Sequence, residues 1–407
     1  MTVRVCRVFF PLAMGVLIAA AQPAVGWFRG DEYEQRDFEV DAEYFVDLLP
    51  ILPRIEERLA WWNATNAYVG GAGSYTRRDL FNLQNLKLEV PLAPPVGFQF
   101  EFMANQDYDG IYQHYLLGLD CAVNEAWTVA LVGEPLARKE YADVGAAVRR
   151  KAGRSRLNIM ALLPDFSFNR KNDMGGTIET KPVNFQLDML QEVSENVDLF
   201  VRTDMDFPSK IRFMNEEFVF EYESWKPGAG LIWHKGTDEI LWGEIATEDT
   251  EKERASFSGT APEDFRTARR VRQGRVEYVR YPAGRNRCSV GAQYVHISEN
   301  NSYPNKLDTT GLLHELAHTT RMIYGTMRRP VGNSFYAETG LILDYVFHTE
   351  TQPLDAERKK SDSSGLEGKV PFSIGWQGRH YRFDAGISVQ VDDVAFGGGY
   401  ATGMILF

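Results

Sequence analysis

Residues 381–390 read Tyr-Arg-Phe-Asp-Ala-Gly-Ile-Ser-Val-Gln. On an extended chain Tyr381, Phe383, Ala385, Ile387 and Val389 fall on one side. Arg382, Asp384, Ser388 and Gln390 fall on the other. The apolar side is aromatic and aliphatic, and the polar side carries full charges. A wall with lipid on one face and water on the other needs this combination. The pattern recurs upstream. In 96–104 Val96, Phe98, Phe100, Phe102 and Ala104 enclose Gln99 and Glu101. In 183–189 Val183, Phe185, Leu187 and Met189 alternate with Asn184, Gln186 and Asp188. In 198–207 Leu199, Val201, Met205 and Phe207 alternate with Asp198, Arg202, Asp204 and Asp206. Segments near 111–121, 126–134, 156–163 and 334–347 repeat the theme.

A soluble sandwich or propeller alternates as well, so further signals are needed. Aromatic residues gather near strand ends, at Tyr108, Tyr112, Trp127, Trp225, Trp233 and Trp376, where interfacial girdles lie in a membrane barrel. The chain ends on Phe407, with Ile405 and Ala401 in phase. Gly399 and Gly403 share that phase, while Tyr400, Met404 and Leu406 do not. This ending resembles the terminal strand signal of bacterial outer-membrane β-barrel proteins. Over 80–407 the chain is similar to that class as a whole, porin-like in size. The resemblance implies an all-β fold, a transmembrane antiparallel barrel of about 16–18 strands. It also implies insertion by the barrel assembly machinery through Phe407 and Ile405, contact with outer-membrane lipid and lipopolysaccharide, and passage of small polar solutes or a purely structural role.

Composition fits. The chain has 407 residues, is 44% hydrophobic and 13% aromatic, and carries a net charge of -12. That apolar content excludes disorder, and the acidic balance argues against a nucleic-acid partner. Mean hydropathy is only -0.31, because lipid-facing and water-facing residues average out. No apolar run long enough for a spanning helix follows the first 30 residues.

Residues 1–26 have the three parts of a secretory signal peptide: Arg4 and Arg7, an apolar stretch from Val8 to Ala21, then small residues to Gly26. Residues 27–78 read as an extension with an amphipathic helix over 41–62 and a flexible joint at Gly70–Ser74. The barrel then occupies 79–407. The expected localisation is the bacterial outer membrane. Cys121 and Cys288 are expected to be unpaired. Counting strands back from a periplasmic C-terminus gives short turns at 235–238, 283–286, 328–333 and 377–379. It leaves long outer connections at 249–264, 299–310 and 349–369.

Candidate lumen residues are Glu101, Asp120, Asp188, Arg202, Asp204, Glu221, Arg275, Asp344, Arg382 and Asp384. Arg266, Arg269, Arg270, Arg272, Arg275, Arg280, Arg285 and Arg287 crowd one hairpin. Asp198, Asp204, Asp206, Glu217, Glu221 and Glu223 crowd others. Opposed basic and acidic walls would set a transverse field across a lumen. The alternative is that these charges pair with one another or with lipopolysaccharide phosphates.

Two motifs suggest enzymes, although no cofactor is expected and the balance leans away from catalysis. His314-Glu315-Leu316-Ala317-His318 matches H-E-x-x-H, and Glu338 follows at the spacing of a third ligand in one class of zinc peptidases. On a strand, however, His314 and His318 stand roughly 13 Å apart. His296 and Ser298 form an H-x-S pair, similar to that of the outer-membrane phospholipase and the lipid-A deacylase. Here Glu299 follows where those enzymes have Asn, and Thr310 stands where an orienting Asn or acid is expected.

Overall fold

The computed structural model describes residues 67–406 except 76–79, 108–109, 134–143, 164–175, 214–216, 262–263, 283–285, 305–311, 355–356, 379–380, 392–393 and 395. The signal segment 1–26, the helix over 41–62 and Phe407 lie outside the described residues.

Alternation becomes strand throughout. The strands of the first half are β1 (Ala67–Tyr75), β2 (Leu80–Ala93), β3 (Val96–Asp107), β4 (Gly110–Ala122), β5 (Trp127–Gly133), β6 (Val144–Ala152), β7 (Ser155–Leu163), β8 (Gly176–Thr180) and β9 (Asn184–Ser194). Those of the second half are β10 (Val197–Phe213), β11 (Phe218–Lys235), β12 (Glu239–Ser256), β13 (Phe265–Arg280), β14 (Arg287–Tyr303), β15 (Leu312–Pro330), β16 (Phe335–Leu354), β17 (Glu357–Gln377), β18 (Tyr381–Gln390) and β19 (Phe396–Leu406).

All 19 segments belong to one sheet, and their pairings are antiparallel. β1 pairs with both β2 and β19, so the sheet closes on itself. β8 and β9 both pair with β10, at successive stretches of it. They are two lengths of one strand, interrupted at 181–183 beside a register shift in β10 between Asp206 and Ser209. Counted so, the 19 segments form a ring of 18. That is the upper end of the expected count. The register slip at Pro208 turns the phase of β10: Asp198 and Phe200 are buried before it, Ile211 and Phe213 after it.

The ring turns its chemistry inside out. Leu131, Ile245, Val290, Ile323, Phe372, Ile374, Phe383 and Ile387 lie on the exposed outer face, while Glu277, Arg287, Arg328, Asp344, Lys369 and Asp384 are buried. A soluble fold places these groups the other way round. A membrane-spanning barrel places them this way. Aromatic residues mark the edges of the belt. At the end with short turns, Phe335 and Trp376 stack with centroids 6.4 Å apart, and Tyr381 lies 4.3 Å from Trp376. Trp127 and Trp233 are exposed at the same end; Trp225 is exposed towards the other. The side chains of Tyr108 and Tyr112 lie outside the described set.

Two expectations are corrected. The sheet starts at Ala67 rather than 79, and Gly70–Ser74 is part of β1, hydrogen-bonded on both sides. Glycines that read as a joint are instead strand residues paired to two neighbours. The segments 249–264, 299–310 and 349–369 are strand in part or nearly throughout. β12 runs to Ser256, β14 to Tyr303, and β16 and β17 leave only 355–356 between them. β10 to β17 are 16–21 residues long, against about 9–11 needed to cross a bilayer. Beyond the belt both faces meet water, so the apolar alternation that identifies a strand is lost. The short-turn end falls where expected, with turns at 236–238 and 331–334.

Candidate functional site in the barrel lumen

Because the side-chain period is two, the ladder assigns every strand residue to a face. Nine of the ten lumen candidates share the inner face with buried residues; Glu221 does not. On β11 the inner phase is Phe218, Phe220, Ser224 and Ile232, all buried. Glu221 falls in the opposite phase with the exposed Trp225, Leu231 and Trp233. It pairs there with Lys210 at 2.6 Å, on the part of the wall that extends beyond the belt.

The inner face is densely cross-linked towards the short-turn end. Glu277 accepts from Arg275 at 2.9 Å, from Arg287 at 3.2 Å and from the Trp242 indole at 3.1 Å. Arg275 also donates to the Tyr324 hydroxyl at 2.9 Å and lies 4.7 Å from the Trp242 ring centroid. Next to it, Arg328 donates to Glu338 at 2.8 Å and covers the Tyr336 ring at 4.1 Å. The Tyr336 hydroxyl donates to Asp384, which also receives Arg382 at 2.8 Å. These groups form a collar. Each charge taken out of water is met by an opposite charge and further hydrogen bonds, which is what makes buried ions tolerable.

The facing wall is looser. Asp120 accepts from Arg149 at 3.0 Å, and Arg149 reaches Asn158 at 3.3 Å. Asn184 donates to Asp204 at 2.7 Å and Asp206 at 2.8 Å. Asp188 lies across the ladder from Arg202, and Gln99 donates to Glu101 at 3.3 Å. Arg202 stands 3.9 Å from Glu244 with its side chain 44% exposed, more open than Arg149 at 18%. Asp344, by contrast, is fully buried, opposite Glu367 and near Lys369.

Among the described residues the charges do not sort into opposed basic and acidic walls. Arg266, Arg270, Arg272 and Arg280 are exposed on the outer face of β13, whereas Arg269, Arg275 and Arg287 point inward. Arg285 lies outside the described residues. Among the acids, Asp198, Asp204 and Asp206 face inward and Glu221 and Glu223 outward. The inner wall therefore carries interleaved charge. It also holds two apolar clusters that alternation did not reveal. Leu190, Phe200, Ile232, Trp242 and Val279 form one; Leu116, Ala130, Val132, Ala147, Met160 and Leu162 form the other.

Neither enzyme constellation assembles. The H-E-x-x-H residues lie in β15, so His314 and His318 point inward and Glu315 points out of the wall. A helix would bring all three to one metal; a strand puts the base on the wrong side. Glu338 is bound to Arg328, and on β16 it lies ten residues from His348, which faces His318. That is about 33 Å of strand. Among the described residues no group of three or more His, Cys, Asp and Glu could hold a metal ion. The histidines have other neighbours. His314 bonds Glu350 at 2.9 Å, His318 bonds Thr320 at 3.0 Å, and the His318 and His348 rings are 5.8 Å apart. His348 and Glu350 share the phase of Glu338 and Asp344, a signal present in the sequence.

His296 and Ser298 lie on the outer face in phase with Val290 and Tyr294. The imidazole Nδ1 meets the Thr319 hydroxyl at 2.9 Å. Across the ladder on β13 stand Arg272 and Arg270 rather than a carboxylate to orient the ring.

Ile405 is exposed on the outer face of β19, opposite Val69 and Tyr381.

No protein-family model and no curated protein matches the chain. Solved structures do. Outer-membrane expressed OmpT of Vibrio cholerae aligns over 84% of this chain and 97% of its own, at 9% identity and a TM-score of 0.39. A bacterial polysaccharide outer membrane secretin aligns over 84% and 97%, at 9% identity and a TM-score of 0.35. OccK11 (OpdR) of Pseudomonas aeruginosa aligns over 84% and 93%, at 11% identity and a TM-score of 0.37.

Proposed function

We propose that this chain is exported, inserted into the bacterial outer membrane as a single barrel, and passes small polar solutes through its lumen. The observation that carries the reading is the inner wall itself. A closed ring of 18 strands is wide enough for an aqueous channel, and its inner face carries ionisable groups on most strands. Arg202, Glu244, Asp188 and Asp204 supply charge on the looser wall, and the collar of Arg275, Glu277, Arg287, Arg328, Glu338, Arg382 and Asp384 lines the short-turn end. Fixed charges of both signs at close range orient and select small solutes by the same rules that govern other pores. Insertion in this reading uses the barrel assembly machinery and the last strand, and the outer belt is covered by lipid.

Planar-bilayer recording tests the channel. Purified protein is expected to give discrete conductance steps in potassium chloride. A correctly folded barrel that never conducts would refute passage through the lumen and leave a structural role.

A further inference from the structure

The outer face of the second half carries charges above the belt, and most of them are paired. Lys210 meets Glu221 at 2.6 Å, Arg212 meets Glu179 at 2.6 Å, Arg270 meets Asp249 at 3.2 Å, and Arg266 meets Glu251 at 3.3 Å. Two arginines break the pattern. Arg272 on β13 and Arg321 on β15 are exposed, and neither makes an ion pair with a carboxylate among the described residues. Their cross-strand neighbours explain why. Arg272 lies between Thr247 and His296, and Arg321 lies between Tyr294 and Tyr345. None of these is an acid, and the nearby Asp249 is taken by Arg270.

Their height on the barrel is equally specific. On β13 the residues below Arg272 in the outer phase are Gly274 and the exposed Val276 and Tyr278. On β15 the residues below Arg321 are the exposed Ile323 and Met327. Tyr294 and Tyr345, also exposed, flank Arg321 at the edge of the belt. On β13 and β15 both guanidinia therefore sit where the exposed apolar residues of their own strand end. They are two strands and two residues apart, about 12 Å between backbones by ladder spacing, so two long side chains can close on one group between them.

We propose that Arg272 and Arg321, with His296 between their strands, form a site for the phosphate of a membrane lipid headgroup in the leaflet at the long-strand end. The chemistry is complementary at each level. Arginine forks bind phosphate oxygens through paired, charge-assisted hydrogen bonds. Tyrosines at the interface present an apolar ring to the chain and a hydroxyl to the headgroup. The belt below, with Val290 and Ile323, receives the acyl chains. A soluble anion would gain only the arginines, whereas a phosphorylated lipid gains all three levels. The pairing of the surrounding charges confines the site to these two residues.

The experiment is lipid retention by the detergent-purified full chain, read by native mass spectrometry. It compares a phosphorylated glycolipid of the outer leaflet with the same lipid after phosphatase treatment. The wild type is expected to retain the phosphorylated form at least about tenfold better, and Arg272→Gln/Arg321→Gln is expected to abolish that preference. Arg270→Gln, whose arginine is already paired, is expected to keep it. Inorganic phosphate at millimolar concentration is expected not to displace the lipid. Equal retention of both lipid forms, an undiminished preference in the double variant, or full displacement by inorganic phosphate would each overturn the proposal. The double variant should keep the slow gel mobility shift of the folded barrel on heating, which separates lost binding from lost fold. Absence of conductance would sink the channel reading and leave this site standing.

Discussion

Replacing Glu277 by Ala removes the hub of the collar. Its carboxylate is only 2% exposed and takes hydrogen bonds from Arg275, Arg287 and the Trp242 indole at 2.9, 3.2 and 3.1 Å. The change leaves two guanidinia, 8% and 3% exposed, facing each other without their shared anion. Removing one partner of a buried ion pair costs about 3–5 kcal/mol, chiefly because the remaining charge is stranded. Here Arg287 keeps hydroxyl acceptors at Ser289 and Thr326, 3.2 and 3.3 Å away, which places the expectation at the lower end, about 3 kcal/mol. That corresponds to a change of roughly 100-fold in the folding equilibrium. The assay is urea unfolding of the barrel in phosphatidylcholine vesicles, followed by tryptophan fluorescence and by the mobility of unheated samples. Adding Arg287→Met removes the stranded charge and should restore part of the loss. A cost below about 1 kcal/mol, the level of an exposed surface pair, would refute a buried, mutually dependent collar. So would a double variant less stable than Glu277→Ala alone.

Three further outcomes are expected. Phe372→Lys places an ammonium on the exposed outer face between Thr339 and Ile387; folding into vesicles should lose about 2–4 kcal/mol, whereas Glu221→Gln, on the same face but beyond the belt, should lose less than about 1 kcal/mol, and equal costs would contradict the position of the belt. At Gly375 a Cβ would overlap the hydroxyl end of the Tyr336 side chain, so Gly375→Ala must displace the tyrosine that bonds Asp384 and should lower stability by about 1–3 kcal/mol, with an unchanged unfolding midpoint as the contrary result. Arg202→Glu turns an open cation of the looser wall into an anion beside Glu244 and opposite Asp188; the reversal potential in a salt gradient should move towards cation preference, and an unmoved potential would show that permeating ions do not pass this wall.

Much of the wall was legible because one physical rule governs it. A strand with lipid on one side and charge on the other shows its face assignment in every second residue, as 381–390 does. Asp384 and Arg382 could be placed inside for that reason alone. Glu221 could not, because near it the alternation runs between acids and Tyr222 or Ser224, with water on both faces. Its phase with Trp225, Leu231 and Trp233 was nevertheless a usable signal. The histidine phase of β15 was ambiguous for the opposite reason. Leu316 and Met322 share it and are buried inside the barrel, since the lumen accepts apolar side chains where neighbouring strands pack over them. Trp242 is another such case: fully buried inside, with its indole on Glu277. Pairing partners such as Arg275 with Glu277, or Arg328 with Glu338, depend on register between strands, which single-strand periodicity does not contain.

The pairing of β1 with β19 has a consequence for how the ring is completed. This seam joins the first and last strands of the described chain, from Tyr68 with Leu406 to Tyr75 with Gly399. It is the contact with the longest intervening chain, so loop entropy delays it most. Until it forms, two raw strand edges face the bilayer, where unmet backbone groups are costly. Both strands are rich in glycine: Gly70, Gly71 and Gly73 on one, Gly397, Gly398, Gly399 and Gly403 on the other. Four of the eight paired rungs contain a glycine, and glycine-rich strands specify alignment weakly. The final zipping step therefore relies on main-chain hydrogen bonds, with alignment inherited from the neighbours β2 and β18 on either side.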